Sequence, residues 1–215
     1  MSAATEFLAP GEWIDSDDPG VQAFAREHAR GADDREKAVS LYHAIRDDIR
    51  YNPFLDFSKS AAFRASEVLA LREGFCVGKA ALLAACARVV GIPARIGLAD
   101  VKNHLTTPRL REKMGTDLFV YHGYAELLLE GRWVKATPAF NQALCDRFRV
   151  KPLEWDGRED SVFHEFDQDN RRHMEYVRDH GSFADVPVER IRKAFREVYP
   201  DFYDLKEDAA KERFG

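Results

Sequence analysis

The 215-residue chain is 45% hydrophobic and 32% charged, with a formal net charge of −5 spread over both signs. That balance suits a globular protein of one large domain, residues 1–215. No basic block points to nucleic acid, no polybasic segment to a membrane surface, and no apolar run is long enough to cross a bilayer.

Residues 1–16 read as irregular, with Phe7, Leu8, Trp13 and Ile14 available to pack on the body. They lack the basic-then-apolar pattern of a secretory leader. Asp18-Pro19 opens a helix that Gly31 closes. A second helix starts at Asp33-Asp34, with Ala38, Leu41, Tyr42, Ile45 and Ile49 on one face, and ends at Tyr51-Asn52-Pro53. Residues 53–64 read as a loop, and Ser66 as the cap of a short helix, Glu67 to Leu71.

From Val77 to Val90 the chain is small or apolar except for Lys79 and Arg88, so the spacing predicts a buried helix stopped by Gly91 and Pro93. Cys76 stands at its start. The unpaired N–H groups of a first turn favour an anion, so a thiol there is expected to be more acidic than usual. A buried Cys is also an ordinary core residue. Cys86 and Cys145 complete an odd, unpaired set, and the expected setting is the reducing cytoplasm.

Beyond Pro93, residues 94–99 read as a strand and 100–117 as a long loop. Phe119 to Leu129 and Arg132 to Thr137 read as a hairpin turning at Glu130-Gly131. A two-residue turn there sets Leu129 opposite Arg132 and Thr137 opposite Tyr124, which puts His122 and Thr137 on one face as diagonal neighbours. Ser161 to His180 reads as a helix closed by Gly181, and Val188 to Tyr199 as a last helix with Val188, Ile191, Phe195 and Val198 on one face. The charged tail from Lys206 is expected to fray.

A nucleophilic Cys needs a base. Of seven histidines, His28 and His43 lie in the N-terminal helices, and His164, His173 and His180 in the polar C-terminal region. All five suit packed or solvated roles. His104 lies in the long loop. His122 alone sits inside a strong strand, where an unbonded ring would be costly; a satisfied core histidine is the plainer alternative. Cys76, His104 and His122 lack the short spacings of a zinc site, so no metal is expected.

Gly74-Phe75-Cys76, the apolar helix, Arg88 to Arg95, Tyr121 to Glu126 and Gly131 to Val134 together resemble the transglutaminase-like core. The resemblance runs from about Leu41 to Asn141. It implies an α+β, papain-like fold, with a Cys-bearing buried helix packed on an antiparallel sheet that bears His. The core is expected at about 35–145 and a helical extension at about 146–215.

The resemblance further implies Cys76 as nucleophile and His122 as base of a cysteine-dependent hydrolase or acyl transferase acting on amide or peptide bonds. No cofactor follows from it, and the substrate would be a peptide, a protein or a small amide. The family's usual Asp is replaced by Thr137, which makes the third member neutral; Asn141 is the other candidate for orienting the ring. Glu126 and His104 are possible supports, Glu126 through the ring or through an arginine. A catalytically silent module that keeps the fold is the alternative that Thr137 favours. The sequence leaves open the oligomeric state and whether the C-terminal helices cover the cleft.

Overall fold

Two acid-capped helices open the computed structural model, which describes residues 5–104, 108–163 and 174–200. In α1, Pro19–His28, the Asp18 carboxylate accepts from the N–H groups of Gly20 and Val21 at 2.8 and 3.0 Å. In α2, Asp34–Asp48, Asp33 caps the Glu36 N–H at 2.8 Å while the Glu36 carboxylate accepts from Ala32 N–H at 2.7 Å. The expected inner face of α2 is buried from Ala38 through Ile45.

The chain then forms β1, Arg50–Tyr51, a 3-10 turn at Ser60–Ala62, α3, Ala65–Leu71, and β2, Glu73–Gly74. β1 and β2 pair in parallel, Tyr51 opposite Gly74, which fixes Tyr51 beside the chain that enters the next helix. Ser66 does not cap α3: the helix begins at Ala65 after Arg64, and the Ser66 hydroxyl donates to Asp15.

α4, Cys76–Val89, is buried on every side from Cys76 to Arg88. Its two charges act as staples. Lys79 Nζ donates to the carbonyls of Arg46, Ile49 and Ala139 at 2.9, 2.6 and 2.8 Å. Burial pushes this amine down to about 7, yet three acceptors match the three donors of an ammonium, which a neutral amine could not satisfy. Arg88 likewise bonds the carbonyls of Ala9, Ala94 and Ala184. The helix ends as expected, with Gly91 N–H on Arg88 O and Ile92 N–H on Ala87 O.

The remaining elements are β3, Ala94–Asn103; α5, Pro108–Met114; β4, Leu118–Leu129; β5, Arg132–Ala136; α6, Gln142–Phe148; β6, Met174–Phe183; and α7, Val188–Val198. The sheet order is β5-β4-β3-β6 with every neighbour antiparallel, and α4 packs on β4 and β3. The hairpin has the expected register, Leu129 opposite Arg132 through Ala125 opposite Ala136. Glu130 and Gly131 both have positive φ, 50° and 80°, as a two-residue type I′ turn requires.

Three more expectations are corrected. β3 runs on to Asn103, and α5 occupies part of the expected 100–117 loop. Instead of a helix through His180, residues 174–183 form the edge strand β6. β6 is mostly exposed and its register against β3 shifts twice, so its side chains show no clean alternation to read. Residues 164–173, with His164 and His173, and the tail from Lys206 lie outside the described residues. Among the described residues no helix is long and apolar enough to cross a membrane.

Candidate active site

Two features of the chain bring α4 hard against β4. The sheet leaves β4 unpaired by β5 beyond Ala125, because β5 ends at Ala136. Gly123, in that unpaired stretch, has no side chain to hold the helix off: a Cβ there would meet the Val77 Cα at 2.7 Å. The start of α4 has no side-chain cap. The backbone N–H groups of Gly123, Val77 and Cys76 instead face the Cys76 sulfur and favour its thiolate.

Burial outweighs them. Cys76 is 8% exposed, and desolvation pushes its thiol up to about 11, which reverses the expected acidity. Cys145, pushed up to about 12, and Cys86, pushed further, follow the same cause with less or no relief, so Cys76 remains the most acidic of the three. His122 is 7% exposed, and burial pushes its imidazole down to about 4 against the opposing pull of the Val162 carbonyl. At neutral pH both groups rest uncharged.

His122 Nε2 lies 3.4 Å from the Val162 carbonyl oxygen. A carbonyl only accepts, so this bond puts the proton on Nε2 and leaves Nδ1 as the acceptor. Cys76 and His122 line one cavity of ≈ 40 Å³. Phe57, Phe75, Met114, Phe195 and Tyr199 also line it, and Phe57 meets Phe75 and Phe195 edge to face at 5.0 Å. Phe195 brings the inner face of α7 to this lining.

The other sequence candidates fall in different places. Thr137 is 2% exposed and shares a ≈ 10 Å³ cavity with His122 and Val162, but its Oγ1 has no hydrogen-bond partner among the described residues. Asn141 stands at the start of α6, caps nothing with its side chain and lines neither cavity. Glu126 is buried and bonds Arg95, whose guanidinium lies 4.1 Å over the Trp133 ring. His104, at the exposed end of β3, pairs with Glu175 at 3.2 Å, away from the residues around Cys76. Among the described residues no group of three or more His, Cys, Asp or Glu is placed to hold a metal ion.

Sequence reasoning missed the Val162 carbonyl, because a main-chain acceptor has no residue-type signature. It also passed over Lys79, whose signal was a lone lysine in an otherwise apolar helix.

A family model described as the transglutaminase-like superfamily matches residues 22–138. No curated protein matches the chain. Among solved structures, the chain is similar to "a Putative Cysteine Protease from Cytophaga hutchinsonii", with 16% identity and a TM-score of 0.49, over 85% of this chain and 54% of that one. The chain therefore spans about half the length of that protein.

Proposed function

The chain belongs to the transglutaminase-like superfamily, and from that premise we propose that it is a cysteine hydrolase or acyl transferase acting on amide or peptide bonds, with Cys76 as nucleophile and His122 as base. One observation carries the reading: Cys76 and His122 line the same cavity.

In this reading the thiol proton passes to His122 Nδ1 as the sulfur attacks the amide carbon, since both groups rest neutral. A C–S bond forms and the carbonyl π pair moves onto oxygen, where the Cys76 N–H at the start of α4 can receive it. Collapse expels the amine, which takes the proton from His122, and leaves a thioester on Cys76. Water, or an acceptor amine, then attacks the thioester; His122 takes its proton and returns it to the departing sulfur. The Val162 carbonyl holds the tautomer throughout and supplies the neutral third member.

Incubation with a panel of peptidyl and small-amide substrates, read by intact-mass detection of an acyl group on Cys76 and by amine release, tests the reading. Turnover that disappears in Cys76→Ala and falls at least 10²-fold in His122→Ala is the expected result. A second reading, a silent binding module, is favoured by the Thr137 hydroxyl, partnerless among the described residues, and by the uncharged, aromatic-lined site. It gains if no panel member acylates Cys76 while peptides still bind Cys76→Ala as tightly as the wild type.

A further inference from the structure

Asp100, in the middle of β3, faces a break in β4 and pairs with Arg178 of β6 between two further breaks. On one side Ala99 pairs with His122 and Val101 with Phe119, so Val120 and Tyr121 of β4 together oppose Asp100. On the other side Leu98 pairs with Gly181 and Ala99 with Asp179, which leaves His180 as the extra residue of β6. Tyr121 has φ +55°, a left-handed conformation that a bulky residue keeps only when its surroundings hold it.

The holding groups are in place. Asp100 Oδ1 accepts from the Tyr121 N–H at 3.0 Å and from His180 Nε2 at 2.7 Å. The Tyr121 ring stacks on the His180 ring, 4.0 Å between centroids and 12° between planes. Tyr199 secures the other half, its hydroxyl accepting from Val120 N–H at 2.6 Å and donating to Leu118 O at 2.7 Å. Asp100 and His180 side chains are only 11% and 12% exposed.

The bulge ends at His122, whose own side of the sheet is set by the unbroken pairing of residues 122–127 with residues 94–99. Residues three apart in a regular strand face opposite sides, and directly paired residues share a side. Because of the extra residue, Phe119 and His122 both share the face of Val101 and Ala99, and both line the Cys76 cavity. Straightening β4 here would turn Phe119 to the other side and shift the backbone that enters His122.

We propose that Asp100, bonded to His180, is a positioning residue for this site: its carboxylate closes the bulge at Tyr121 and so fixes the backbone on which His122 meets the Cys76 cavity. The inference rests on the reading of Cys76 and His122 as the working pair, but its subject is the placement of one ring, which can be observed without turnover.

The experiment is side-chain NMR of the full chain. The nuclear Overhauser contacts of the His122 ring to the Thr137 and Val162 methyls, and the ring's titration midpoint, are followed in the wild type, Asp100→Ala, Asp100→Asn and Asp100→Ala/Tyr121→Gly. Asp100→Ala should lose those contacts and bring the midpoint up toward the ordinary value near 6.5. Asp100→Asn, which keeps an acceptor of the same shape, should stay close to wild type. Tyr121→Gly removes the steric cost of the left-handed backbone, so the double variant should fold and recover the contacts, even where Asp100→Ala alone does not fold. Unchanged contacts and midpoint in Asp100→Ala, or a double variant no better than the single, would overturn the proposal. If His122→Ala leaves Cys76 alkylation at the wild-type rate, the enzymatic reading falls while the NMR result still decides the positioning role.

Discussion

Replacing Gly123 by Ala tests the contact on which the site is built. The new Cβ would lie 2.7 Å from the Val77 Cα, 2.9 Å from its Cγ2 and 3.1 Å from its N. Carbon atoms pack best at about 3.5–4.0 Å, so the start of α4 would have to retreat by roughly 0.8 Å or more. The Cγ2 belongs to a side chain, but the nearest atom, Cα, and the N are backbone and cannot rotate away. Overpacking of this kind costs about 1–3 kcal/mol, against a gain of about 0.5–1 kcal/mol from relieving a glycine inside a strand. The same retreat lengthens the bond from Gly123 N–H to the Cys76 sulfur. The expected outcome is a net loss of about 1–2 kcal/mol in urea unfolding, together with slower alkylation of Cys76 and an upward shift of its pH dependence. Mass mapping after brief labelling separates Cys76 from Cys86 and Cys145. A variant as stable as the wild type, with Cys76 labelled at the same rate, would refute the claim that this close approach sets the sulfur in place.

Three further outcomes are expected. The His122 imidazole is held at about 4 in the fold against an ordinary 6.5 when unfolded, so the unfolded chain binds the extra proton first; the stability that this neutral ring contributes is fully present above pH 6.5 and is lost as pH falls through 4, about 3 kcal/mol in all. Urea unfolding at pH 7 and pH 4 should therefore show a smaller acid loss for His122→Asn than for the wild type, and equal losses would disprove it. Lys79→Met leaves the carbonyls of Arg46, Ile49 and Ala139 without their donor, which should cost about 3 kcal/mol or more and lower Tm by roughly 6–12 °C; a shift under about 2 °C in a thermal scan would contradict the cage. Thr137→Val removes a hydroxyl that bonds nothing among the described residues, so stability should change by less than about 1 kcal/mol in either direction and Cys76 labelling should stay the same, whereas a marked slowing would return the ring-orienting role to Thr137.

Wherever the physics is local, the chain could be read directly. The apolar run after Cys76 dictates a helix buried all round, and Gly91 and Pro93 stop it where the structure ends it. Glu130-Gly131 selects a two-residue turn, and that turn alone fixes the pairing of β4 with β5 and the face His122 shares with Thr137. The acids before α1 and α2 announce their starts for the same reason, since a cap bonds N–H groups only two or three residues away.

What the sequence could not determine depends on groups that meet from far apart in the chain. β6 reads as helical because an edge strand with two bulges shows neither a period of two nor a continuous apolar run, and only β3 makes it a strand. The thiol of Cys76 was expected to be acidic from its helix start; its placement under Phe57, Phe195 and Tyr199 removes water and reverses the sign. The partner of the His122 ring is a main-chain carbonyl forty residues away, at Val162, where any residue type would have served. Asp100, His180 and Tyr121 are unremarkable singly, and their meaning arises where three strands bring a carboxylate, a ring and a strained backbone within hydrogen-bonding distance. Short-range bonds, turns and periodicities are encoded residue by residue; desolvation and long-range hydrogen bonds exist only once the chain has folded.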